Sequence, residues 1–151
     1  MENIIYELAN ESDVDSLVSL LADLFTIEKD FNPDLSKQKK GLELLVKNHT
    51  TATIQVAKNT SGEVIGMVTA QLVISTAQGA ASAWIEDMVV DAKYRGLGIG
   101  KKLLQNTLDW AKQKGATRAQ LLVDIENTEA LGYYEHLKWE PTQLQARRVF
   151  I

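Results

Sequence analysis

With 151 residues, 45% of them apolar and 24% charged, the chain is long enough for one domain with its own core and is composed like an ordinary globular protein. It has no cysteine, which excludes a disulfide scaffold, a thiol nucleophile and a cysteine-ligated zinc site, and only two histidines, His49 and His136, so no imidazole-built metal cluster is expected. A net charge of −4 argues against nucleic-acid binding, no apolar run nears the ~20 residues of a membrane span, and the N-terminus lacks the basic start of a secretory leader, so a soluble cytoplasmic protein is expected.

Residues 3–8 read as a short first strand. Residues 11–25 carry apolar side chains at 14, 17, 18, 21, 24 and 25, a helical spacing. Ser12 is the expected N-cap, with Asp13 and Asp15 in the first turn, where the helix dipole favours anions. A polar break over 26–34 contains a proline and leads to a second helix at 35–48, weakened by Gly41. The β-branched stretch 51–58, a turn at 59–63 and the longer run 64–75 form a hairpin. The chain turns again into a third strand of this series, 82–90.

A glycine-rich bend follows, and then a helix in which Leu103, Leu104, Leu108 and Ala111 share one face. Lys112 and Lys114 fall in its last turn and Gly115 fits the stop position. The near-continuous apolar run 118–125 predicts a strand covered on both sides. Residues 127–138 predict a last helix, and 146–151 an edge strand. The order β-α-α-β-β-β-α-β-α-β predicts a mixed sheet flanked by helices in one α/β domain spanning 1–151. The crossover from 82–90 to 118–125 makes those two strands parallel.

The bend reads Lys93-Tyr94-Arg95-Gly96-Leu97-Gly98-Ile99-Gly100-Lys101-Lys102. The first N–H groups of a helix have no partner within it, and the aligned peptide dipoles add about half a positive charge there. Glycines let backbone amides approach an oxyanion closely and permit positive φ. With Lys93, Arg95, Lys101 and Lys102 around it, the bend reads as a diphosphate cradle. The same glycines also suit a plain tight turn, and they do not distinguish one phosphate ligand from another. The G-x-G-x-x-G dinucleotide pattern and the Gly-Lys-Ser/Thr phosphate loop are both absent.

Arg95-Gly96-Leu97-Gly98-Ile99-Gly100 resembles the Arg/Gln-x-x-Gly-x-Gly/Ala signature of the GNAT superfamily of acetyl-CoA-dependent N-acetyltransferases. The preceding strand, with its acidic pair and terminal valines in WIEDMVV, is similar to the strand that enters that loop. Downstream, Asn127, Ala130, Tyr134 and the Lys138-Trp139 pair match the family's Asn, Ala, Tyr and Gly-Phe positions, except that lysine replaces the glycine. The match covers roughly 64–140, and the first sixty residues agree only in their strand-helix-helix layout.

The resemblance implies a splayed GNAT-type mixed sheet with the thioester of acetyl-CoA lying in the splay, and no metal. It implies that the amides of Gly96, Leu97, Gly98, Ile99, Gly100 and Lys101, next to Arg95, hold the pyrophosphate. The edge at Met88, Val89 and Val90 would hydrogen-bond the pantetheine arm, and Asn127 would contact that arm. Tyr134 would donate a proton to the departing thiolate. A phenol is protonated at neutral pH and can act as an acid. Asn127 and Tyr134 are seven residues apart, two helical turns. Tyr133, rotated by about 100°, is expected to pack elsewhere.

The acceptor amine must lose a proton before it attacks. Glu86 is the favoured general base, through a water, with Asp87 helping to hold a cationic amine, since successive strand residues face opposite ways. Glu86, Met88 and Val90 share one face if the strand is regular, and a bulge would scramble that parity. The acidic pair resembles the diamine-acetylating branch, so the partner is expected to be a small-molecule amine. Glu28, with Asp30, would add negative charge on the acceptor side. Lys138 is expected to take a left-handed helix stop less easily than glycine. Trp84 and Trp110 read as packing residues. Two other readings use the same fold: a non-catalytic acyl-CoA-binding regulatory module, and protein N-terminal or lysine acetylation. Dimers are common in the family, and the tail strand would then pair between chains.

Overall fold

Alternating small and β-branched residues over 52–75 and helical apolar stripes on either side of them fold into one sheet sandwiched between helices. The computed structural model describes residues 3–27 and 34–151. In chain order the elements are β1 (Ile5–Leu8), α1 (Val14–Ile27), α2 (Leu35–Lys47), β2 (Ala52–Lys58), β3 (Val64–Ser75), β4 (Ala80–Val90), α3 (Ile99–Gln113), β5 (Arg118–Leu121) and α4 (Thr128–His136). The sheet has five strands in the order β1-β2-β3-β4-β5. The first three pairings are antiparallel, and β4 pairs with β5 in parallel, as the crossover through α3 requires.

Each face of the sheet buries its own cluster. Ile54, Val56, Met67 and Val89 pack under Leu17, Leu20 and Leu21 of α1 and Leu42 and Val46 of α2. Ala57, Ile65, Val68, Ala70 and Ile85 pack under Ile99, Leu103 and Leu104 of α3. Gly66 fixes how closely α3 approaches: a Cβ there would stand 3.1 Å from Leu103 Cδ1 and 3.4 Å from Ile99 Cγ2. A side chain at 66 would make Leu103 or Ile99 give by a few tenths of an ångström.

Three expectations are corrected. The cap before α1 is Asn10, not Ser12: the Asn10 side chain accepts from the Ser12 N–H at 2.9 Å, and Asp13 Oδ2 accepts from the Asn10 N–H at 2.9 Å, closing a capping box on a short 3-10 turn. Strand β5 stops at Leu121 rather than 125, because β4, its one partner among the described residues, pairs with it over Ser82–Ile85. Residues 146–151 form no strand and are exposed, since the chain after α4 meets no ladder to join.

Lys58 ties β2 to the start of the fold. Its Nζ lies 2.7 Å from Glu7 Oε1 and 2.9 Å from Asp13 Oδ1. Glu7 first, and then Asp13, hold its ammonium above the usual lysine range. A raised lysine pKa means that this stabilisation is complete at neutral pH and is lost only as pH climbs above the ordinary lysine value. Asp13 is buried and Glu7 is largely exposed, so the two partners differ in weight. Lys58→Ala, which strands a buried carboxylate, is expected to cost about 3 kcal/mol in urea unfolding, whereas Glu7→Ala is expected to cost under about 1 kcal/mol.

Candidate active site

Strand β4 carries one residue too many for its partner. Glu86 pairs with Thr69 and Val89 with Met67, so Asp87 and Met88 together face the single residue Val68. This is a β-bulge, and Asp87 absorbs it with a φ of 56°. The bulge overturns the parity expected for a regular strand. Met88 and Val90 now pack toward the α3 face with Ile85, while Val89 turns to the α1/α2 face. Glu86 points to the α1/α2 face as well, opposite Ile85. Pairing between β4 and β5 ends at Ile85 and Leu121, yet β4 runs on to Val90. Among the described residues, the edge of Glu86–Val90 away from β3 has no strand partner, so the sheet opens into a wedge.

The glycine bend lies at the end of that open edge. A 3-10 turn, Ala92–Tyr94, is capped by the Asp91 side chain, which accepts from the Lys93 N–H at 2.9 Å. The turn is anchored from the β2–β3 connection: buried Asn59 donates from Nδ2 to Glu63 Oε2 at 2.7 Å and to Tyr94 Oη at 3.2 Å. Arg95 folds back, its Nε donating to the Val90 carbonyl at 3.0 Å. Gly96 and Gly98 both have φ of 80°, with open space where a Cβ would be. They are glycine for the backbone's sake. Gly100 is close-packed instead: a Cβ there would lie 2.8 Å from Met88 Cε, the end of a flexible side chain, and 3.1 Å from Tyr133 Oη.

The first α3 bond joins the Lys102 N–H to the Gly98 carbonyl at 3.1 Å, so the N–H groups of Ile99, Gly100 and Lys101 precede the helical ladder. Lys93, Arg95, Lys101 and Lys102 are all exposed around them, and Leu97 projects into solvent.

Helix α4 closes the other side of the wedge. Asn127 is its N-cap, accepting from the Ala130 N–H at 3.1 Å, so one end of its carboxamide is committed to the helix. At the C-terminal end Lys138 does adopt the left-handed stop, with φ of 71°. Its N–H bonds the Glu135 carbonyl and that of Trp139 bonds the Tyr134 carbonyl, both at 2.9 Å, the double closure typical of a glycine stop. The Trp139 ring then lies edge-on to Tyr134 at 5.9 Å, and Tyr134 edge-on to Tyr133 at 5.4 Å.

Tyr133 is a correction. It does not pack away from the site but aims its hydroxyl at Gly100 and Met88, where it is buried and makes no hydrogen bond among the described residues. Burial pushes its phenol pKa up. No motif in the sequence singles it out. Only its place on a helix facing the wedge does.

The structure brings Met88, Val90, the bend and both tyrosines to one side of β4. Glu86 lies on the other face and is exposed. Its Oε1 accepts from the Trp84 indole N–H at 2.7 Å, so Trp84 orients that carboxylate rather than simply packing. Their i, i+2 spacing on a strand is the signal for that contact. Asp87, at the bulge, is half-buried. Glu28 and Asp30 lie outside the described residues. Among the described residues no group of three or more His, Asp or Glu gathers to hold a metal, and no helix is long and apolar enough to cross a membrane.

Left-handed glycines, helix-start amides and a ring of cations fit a diphosphate, and an unpaired strand edge beside them fits an amide-bearing arm. Coenzyme A has both, an amide-bearing arm that joins its diphosphate to its thiol.

A model of the acetyltransferase (GNAT) family matches residues 14–139. An uncharacterised N-acetyltransferase of Methanocaldococcus jannaschii is 32% identical over 71 residues, 47% of this chain and 31% of that protein. A glucosamine 6-phosphate N-acetyltransferase of Trypanosoma brucei brucei is 34% identical over 91 residues, 58% of each chain. The match thus spans about a third to somewhat over half of these relatives' lengths. A solved structure from Bacillus halodurans, described as a transcriptional regulator, superposes with a TM-score of 0.85 at 26% identity, covering 98% of this chain and 100% of that one.

The left-handed stop at Lys138 yields a stability test. A left-handed residue with a Cβ costs ~1 kcal/mol or more, which glycine avoids. Lys138→Gly is therefore expected to raise unfolding stability by about 1 kcal/mol. The reverse substitution type, Gly98→Ala, is expected to lower it by a similar amount, with denaturant midpoints as the measurement.

Proposed function

The chain belongs to the acetyltransferase (GNAT) family, and on that premise we propose that it transfers the acetyl group of acetyl-CoA directly to the primary amine of a small cationic acceptor. The observation that carries this reading is the bend with its unladdered N–H groups, set at the end of an unpaired strand edge. Bound there, acetyl-CoA supplies an acetyl group on a thiolate leaving group.

The amides of Gly96 to Lys101 hold the pyrophosphate, and Met88–Val90 hold the arm. Asn127 contacts it through the part of its carboxamide not engaged in capping. Glu86, steadied by Trp84, takes the proton of the acceptor's ammonium through a water, which frees the nitrogen lone pair to form the new N–C bond. As the C–S bond breaks, Tyr134 gives its phenolic proton to the sulfur, and the second proton, lost from the nitrogen as the amide forms, restores the phenol. Trp139 and Tyr133 bracket the Tyr134 ring, which supports a fixed direction for that proton. Proximity of the two substrates supplies much of the rate.

Asp87 belongs to the acceptor side in this reading, as negative charge for a cation. The name of the trypanosomal relative supports an amine on a small molecule. A cytoplasmic, homodimeric protein completes the reading: the exposed Val149 and Phe150 and the outer edge of β5 suit pairing between chains. The regulatory alternative draws on the Bacillus halodurans structure alone.

Thiol release from acetyl-CoA, measured against diamines, amino acids, aminoglycosides, amino-sugar phosphates and peptides, tests the proposal. Release is expected with small cationic amines. Tyr134→Phe is expected to lower kcat by about 100-fold with little change in KM for acetyl-CoA. Tight CoA binding with no release across the panel would point to the regulatory module, and release with peptides alone to protein acetylation.

A further inference from the structure

We infer that the hydroxyl of Tyr133 is a hydrogen-bond donor to bound coenzyme A, completing the cradle from α4. The inference rests on the reading of the bend as a coenzyme A site and adds a residue that no motif assigns.

A buried hydroxyl without a partner destabilises a folded chain, and phenylalanine would fill the same space without that cost. Tyr133 Oη is such a hydroxyl. Its position is specific: it lies 3.1 Å from where a Cβ of Gly100 would be, and Met88 Cε lies 2.8 Å from that same point. Three elements, β4, α3 and α4, therefore meet where the open strand edge runs into the first turn of α3. The ring cannot easily retreat, because Tyr134 stands edge-on beside it.

The cover over the hydroxyl is different in kind. Met88 is an unbranched thioether with three rotatable bonds, so it can move aside when an arm pairs with the β4 edge. What then reaches Tyr133 Oη is an acceptor-rich ligand, whose amide carbonyls and phosphoryl oxygens have no hydrogen to give. A phenol whose pKa is raised by burial stays a donor over the whole neutral range.

The test is Tyr133→Phe, read in the absence of acceptor amine. Calorimetric titration with CoA gives Kd, and thermal unfolding of the ligand-free protein gives Tm. The expected pair of results is a Kd raised about tenfold, the weight of one well-made hydrogen bond, with a ligand-free Tm equal to or above that of the unsubstituted protein. A residue that merely packs would move the other way, with lower Tm and unchanged Kd, and that outcome overturns the inference. Unchanged Kd alone overturns it too. If the unsubstituted protein itself takes up no CoA, the reading of the site fails and the inference with it. A second measurement avoids the variant's folding altogether. In the unsubstituted protein labelled at tyrosine Cζ, saturation with CoA is expected to shift the Tyr133 resonance while that of Tyr6 on β1 stays still, and a still Tyr133 resonance counts against the inference.

Discussion

One surplus residue in β4 governs the rest of the site. Two residues, Asp87 and Met88, stand opposite Val68, and the strand accommodates them by turning Asp87 left-handed. An aspartate tolerates that conformation better than most side chains, though not as freely as glycine. The consequence is a change of face in mid-strand. Glu86 and Val89 look toward α1 and α2, while Met88 and Val90 look toward α3. The parallel partner β5 leaves β4 at the same level, so the change of face falls where β4 loses that partner.

The groups around that gap are held by element ends rather than by free loops. Asn59 grips Tyr94, Arg95 grips the Val90 carbonyl, and the double closure at Lys138 fixes Trp139 on Tyr134. Buried Asn59 and left-handed Lys138 are costly choices for a surface turn and a helix stop. Each makes sense as support for a neighbour, Asn59 for the bend and Lys138 for the tyrosine pair.

Much of this was legible in the residues. Helices α1 to α3 show in the periodicity because each has one buried face, whereas β2 and most of β3, buried on both faces, show as apolar and β-branched runs between turn residues. The cradle shows because only glycine takes φ of 80° without strain, and two of the three glycines do so. Other features have no one-dimensional trace. Asn10 and Ser12 are both good caps, and only the reach of Asp13 back to Asn10 decides between them. The run 118–125 looks like a full strand, but a strand ends where its partner ends, at Leu121. A period of two cannot reveal a bulge, so the faces of Glu86 and Met88 came out only with the register. Tyr133 and Tyr134 differ by one helical step, and which hydroxyl reaches across the wedge depends on the depth at which α4 lies.

The exposed cations of the bend have a kinetic consequence. The molecule as a whole is negative, with a net charge of −4, yet Lys93, Arg95, Lys101 and Lys102 crowd one rim. An anion approaching at random meets a surface that is negative on balance and is drawn to that rim. Its arrival is therefore guided, and added electrolyte slows capture far more than it hastens escape, because only the approach is made through open water.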